Sequence, residues 1–137
     1  MTREQAQREA WRRTDGRCLF TGLSGADPAH AFAAGDFPAL ANCPFNIFYI
    51  VRQCHSVRGE PCFDWKQVKG VDIVRPVAER LWMLTNMVCE PMWDYRGAIR
   101  RALQLLAEEC GRVGVEYPRM PVCPSDYYAL RLRGREC

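Results

Sequence analysis

DGRCLFTGLSGADPAHAFAAGDFPALANCPFNIFYIVRQCHSVRGEPCFD, residues 15–64, is the stretch on which the reading of this chain turns. It carries both histidines, His30 and His55, and four of the eight cysteines. Ile47-Phe48-Tyr49-Ile50-Val51 is rich in β-branched and aromatic side chains and reads as a strand. Ala29 to Ala33, which carries His30, reads as a second, shorter strand. The two pair as a hairpin across a loop, Asp36 to Pro44, marked by Gly35, Pro38 and Pro44. Leu19-Phe20-Thr21 reads as a brief strand before the turn from Gly22 to Gly25. The polar run Arg52 to Arg58 is expected to be helical and to be broken by Gly59 and Pro61.

Outward from this stretch the signals are helical. Thr2 and Gln5 have capping-box spacing, and a short basic helix should run to about Arg13, ahead of the turn at Asp15-Gly16. Ala6, Ala10 and Trp11 are its core candidates. Val77, Leu81, Leu84 and Val88 recur at helical spacing, which predicts a helix over 75–88 with Pro76 in its first turn. Asp94 can cap a further helix with Ile99, Leu103, Leu106 and Cys110 on one side and Gly111 at its end. Trp82, Trp93 and the nearby methionines read as packing. The last stretch, with Pro118, Pro121 and Pro124, reads as an extended surface tail.

The totals bound the class. A chain of 137 residues suits one domain, and 48% hydrophobic with 26% charged residues is a globular composition. No run is apolar enough to span a bilayer, and MTREQAQREAWRR lacks a signal peptide's apolar segment, so a cytoplasmic protein with no membrane partner is expected. In that compartment the eight cysteines are expected as thiols; a disulfide-stabilised protein with no catalytic role is the competing reading. No C-x-x-C pair occurs, so a structural zinc is not expected. The net charge of +3 neither demands nor excludes nucleic acid. Arginines do cluster, at 3, 8, 12, 13 and 17 and again at 131, 133 and 135, as solvated faces or phosphate contacts.

Hydrolysis of a phosphodiester needs a base to deprotonate water and a positive centre to stabilise charge on the phosphoryl and leaving oxygens. Histidine suits the first task because its ordinary pKa, about 6.5, lies near neutrality. A divalent metal suits the second. His30 on its strand can be the base. Asn46, where the chain enters the facing strand, can hold it across the hairpin, and His55 can reach back as a metal ligand. The plainer alternatives are an ordinary strand histidine, a turn asparagine, and an Asp64 that caps a segment starting at Trp65.

The order Cys18-Leu19-Phe20-Thr21-Gly22, Ala29-His30, Asn46, His55, Phe63-Asp64 resembles the HNH endonucleases, the ββα-metal nuclease core, in their C-x-x-T-G, A-H, N, H, F-D branch. Asp15-Gly16-Arg17-Cys18 also resembles that family's R-D-G-x-C entry, with Thr14 in place of the arginine. The resemblance implies His30 as general base, Asn46 as the middle residue of the triad, and His55 as ligand to one divalent metal. Magnesium is the first expectation, with manganese, nickel or zinc as alternatives. It also implies that the hairpin and following helix sit in the minor groove of DNA. Where many members carry Asp or His before the base, Ala29 stands here, so the second metal ligand is open between Asp64 and Asp27, with Asp36 behind them.

The expectation is therefore an α+β protein of one domain, residues 1–137. An N-terminal helix flanks an HNH hairpin-and-helix core at 15–64, and a helical extension and tail follow at 65–137. The expected function is metal-dependent cleavage of DNA, with Arg52 and Arg58 as backbone-phosphate contacts. The alternative is an HNH-like DNA-binding or assembly protein without catalysis. The extension's apolar faces are either covered in a homodimer or filled by the core.

Overall fold

The computed structural model describes residues 1–52, 56–57, 60–61, 74–86 and 96–119. Helix α1, Arg3–Thr14, begins as its spacing dictates: Thr2 Oγ1 accepts from the Gln5 amide at 3.1 Å and Gln5 Oε1 from the Thr2 amide at 2.9 Å. Each side chain satisfies a helix-start donor that would otherwise lack a partner. Asp15, at φ 56, and Gly16, at φ 72, turn the chain out of the helix. Trp11, expected in the core, is 44% exposed. Its ring lies over Gly16, where a Cβ would come within 2.1 Å of the indole nitrogen. The glycine makes room for the ring, and the ring covers the turn.

Strands β1, Asp27–His30, and β2, Ile47–Ile50, form the expected antiparallel hairpin, pairing Asp27 with Ile50 and His30 with Ile47. β1 ends at His30 instead of continuing to Ala33. The backbone N–H and C=O of Phe32 bond the side chain of Asn46, which takes them away from a ladder. Two 3₁₀ turns, Pro38–Leu40 and Pro44–Asn46, fill the loop between the strands. Leu19-Phe20-Thr21 is a turn and not a strand. The Gly22 amide donates to Cys18 O at 2.8 Å and the Cys18 amide to Leu23 O at 2.9 Å, which closes the chain on itself.

Ser56–Val57 and Glu60–Pro61 form a second antiparallel pair, β3 and β4. A helix was expected from Arg52 to Arg58: Arg52 is helical, residues 53–55 lie outside the described residues, and Ser56-Val57 are strand instead. Residues 58 and 59, between the two strands, lie outside the described residues.

Helix α2, Val74–Asn86, carries Val77, Leu81 and Leu84 as expected, while Val88 lies outside the described residues. Helix α3, Arg96–Val113, passes through Gly111 and ends at Gly114, whose φ of 76 lets the Val115 amide return to Cys110 O at 2.9 Å. The expected cap, Asp94, and Trp93 lie outside the described residues.

The hairpin has two buried faces because successive side chains alternate. Ala29, Phe48 and Ile50 belong to the main core with Leu19, Phe20, Val77, Leu81, Leu84, Ile99, Leu103 and Leu106. Trp82 and Met83 are buried there as packing. Val115 and Tyr117 pack against the same cluster, and of the expected tail Pro121 and Pro124 lie outside the described residues. On the opposite face Ile47 and Tyr49 receive Ala6 and Ala10 of α1. The result is a mixed helical and small antiparallel-sheet α+β fold, with no described helix long and apolar enough to cross a membrane.

Arg13 locks α1 in place. Its guanidinium donates to Pro44 O at 2.7 Å and Ile47 O at 2.9 Å, and lies 5.1 Å from the centre of the Phe48 ring. Burial pushes its pKa down to about 10, which still leaves it charged at neutral pH. Arg13→Met keeps the stem and removes the donors. The desolvation of the charge offsets part of what its bonds contribute, so the expected loss is about 2 kcal/mol, read as a lower denaturant midpoint with an unchanged slope.

Candidate functional site

His30 ends β1 half-buried, on the hairpin face that α1 covers. Its Nε2 lies 2.9 Å from the carbonyl oxygen of Ala41. A carbonyl only accepts, so Nε2 carries the proton and Nδ1 holds the lone pair. Burial pushes the imidazole pKa below its usual 6.5, the bond to Ala41 opposes that, and the positive charge of Arg3 lowers it further. At neutral pH His30 is a neutral imidazole with one fixed tautomer, the form a general base requires.

Asn46 does not touch the ring. It is fully buried, and its side chain serves the loop that passes His30: Oδ1 accepts from the Phe32 amide at 2.7 Å, and Nδ2 donates to Phe32 O at 2.9 Å and Leu40 O at 3.0 Å. Its own carbonyl accepts from the Ala31 amide at 3.0 Å. Asn46 thus fixes the residues after His30 and the residue before Ala41. The expected bond from Asn46 to His30 is replaced by backbone bonds, because a planar amide with one acceptor and two donors matches three peptide groups at once. Arg80 of α2 adds a third tie from inside the core, where its Nη1 donates to Ala31 O at 2.8 Å.

Of the expected metal ligands, His55 and Asp64 lie outside the described residues, as does Arg58. Asp27 is exposed at the far end of β1, roughly 10 Å from His30 along the strand. An odd separation of three residues also puts the two on opposite faces, so the hairpin does not bring Asp27 to His30. Asp36 is exposed in the intervening loop. Arg52, also exposed, follows the Ile50 end of β2, which pairs with Asp27 and not with His30. Among the described residues no three His, Cys, Asp or Glu side chains converge as a metal site. Cys18, Cys43 and Cys110 are buried in the main core as thiols. Burial pushes the Cys43 thiol pKa up and that of Cys110 to about 11, so both stay protonated at neutral pH.

Sequence reasoning missed the Ala41 carbonyl, which carries no signal because every residue has one. It also missed Arg80, although a signal existed: position 80 falls within the apolar stripe set by Val77 and Leu84.

The pH dependence follows from the lowered pKa. Between the folded value and 6.5 the unfolded chain binds more protons, so stability rises with pH through that window and is lost as pH falls from 6.5. Denaturant midpoints between pH 5 and 7.5 should show this slope in the wild type and a weaker one in His30→Gln.

No protein-family model, curated protein or solved structure matches the chain.

Proposed function

We propose that this chain is a metal-dependent endonuclease that hydrolyses DNA phosphodiester bonds on an HNH-type ββα-metal core. The observation that carries the reading is the bond from His30 Nε2 to Ala41 O. It leaves Nδ1 as the sole basic nitrogen on a neutral imidazole, held by a loop that Asn46 ties down. In this reading Nδ1 takes a proton from the water that attacks phosphorus. The imidazolium so formed keeps its Nε2–H on the Ala41 carbonyl, which stabilises the new positive charge without any movement.

A divalent metal, when bound, supplies charge stabilisation at the phosphoryl and leaving oxygens. His55 and Asp64 are the residues proposed to hold it. Asp27 is set aside, since the hairpin's alternation turns it away from His30. An imidazole ligand suits manganese, nickel or zinc at least as well as magnesium. The DNA is proposed to lie along the His30 end of the hairpin.

The test is cleavage of supercoiled plasmid by the full chain with magnesium, manganese, nickel or zinc, beside His30→Ala. Metal-dependent nicking or linearisation that the variant lacks supports the reading. Absence of cleavage with every metal, in a protein that still binds DNA, would instead favour the non-catalytic DNA-binding alternative.

A further inference from the structure

We propose that Arg3 seats a substrate phosphate beside His30, so that the first turn of α1 completes the site. The inference rests on the nuclease reading and adds a residue that the resemblance did not supply. The packing of α1 accounts for its position. Ala6 and Ala10 lie on Ile47 and Tyr49, the face that also carries His30, and Tyr49 Oη donates to Gln7 O at 3.2 Å. That docking brings the start of the helix to the loop holding the base. Arg3 Nε donates to Asn42 Oδ1 at 3.0 Å, and Asn42 directly follows Ala41, whose carbonyl holds His30.

The guanidinium is therefore tethered through one nitrogen and exposed, and among the described residues its two Nη groups have no partner. A guanidinium in that state matches a phosphodiester well. It offers two parallel N–H donors to two anionic oxygens, and the tether has already removed part of the side chain's freedom. Two other arginines of the N-terminal cluster are already engaged, while Arg12 is exposed on the same helix without a tether, among the described residues, to the His30 loop. Arg8 pairs with Glu4 at 3.6 Å and Arg13 is committed to backbone carbonyls. The positive charge of Arg3 also helps to lower the His30 imidazole pKa, behind the larger effect of burial.

The experiment measures binding of a fluorescent DNA duplex to the full chain in EDTA across a salt series, so that cleavage plays no part. Wild type, Arg3→Gln and Arg101→Gln are compared; Arg101 is exposed on α3 and bonds Gln104 of its own helix. Arg3→Gln is expected to bind about tenfold more weakly. Its slope of log affinity against log salt should fall by about 0.9, the signature of one lost phosphate contact. Arg101→Gln should stay near wild type. Equal affinity of Arg3→Gln and wild type, equal losses in both variants, or no binding by wild type would each overturn the assignment. In a parallel NMR titration, Arg3→Gln should raise the His30 pKa toward 6.5, and an unchanged value would also overturn it. Of these outcomes only the absence of binding by wild type bears on the nuclease reading as well; the others leave it standing, and it is tested separately by plasmid cleavage by wild type against His30→Ala.

Discussion

His30→Ala is expected to fold and to lose plasmid cleavage by about 10²- to 10⁴-fold, the range that general-base catalysis supplies. The side chain is half-buried and its one described bond is to the Ala41 carbonyl, which the loop position leaves only partly enclosed. Truncation should therefore cost about 1 kcal/mol of stability, small beside the effect on rate. The pH profile provides a second reading of the same residue. Because burial holds the imidazole pKa below 6.5, wild-type cleavage should stay level down to that pH and decline only below it. Residual activity of His30→Ala should lack that acid limb. A variant that cleaves as fast as wild type, with the limb intact, would place the base elsewhere.

Asn46→Asp is expected to have the largest effect on stability, because the change is nearly isosteric and inverts the chemistry. The Phe32 amide keeps its acceptor, but the Phe32 and Leu40 carbonyls, now bonded at 2.9 and 3.0 Å, would face a carboxylate oxygen. Position 46 is fully buried, so the new charge has no water to turn to. An uncompensated buried charge costs about 3–5 kcal/mol, a large share of a small domain's total. The sign with pH is also set. The folded carboxyl would hold its proton above the ordinary carboxylate pKa, so the penalty shrinks as pH falls. Denaturant midpoints at pH 5 and pH 8 test this, and a variant as stable as wild type at both would refute the role given to Asn46. Any folded fraction should still cleave poorly, since Leu40 adjoins the residue whose carbonyl holds His30.

Much of the framework was legible because it depends on neighbours in sequence. The Thr2–Gln5 cap, the β2 run and the α2 stripe each express a local preference within a few residues, and each formed where its pattern lay. Pairing of the two strands followed from the loop signals between them. Local preference misled where a distant partner competed. Ala31 to Ala33 left the strand because Asn46 took the Phe32 peptide groups. Gly111 stayed helical because Gly114 made the left-handed turn.

The sequence by itself singled out His30 as the proposed base, since only two histidines exist and one falls in a strand of the expected hairpin. Tertiary structure decided how its imidazole is held. The tautomer depends on the Ala41 carbonyl, eleven residues away, and the loop on a buried asparagine and Arg80 of α2. The charge beside it comes from Arg3, brought there by two alanines packing on a sheet face. Residue types and short periods are properties of adjacent positions. A peptide carbonyl has no residue type, and the approach of a helix end to a strand end depends on packing across the whole fold.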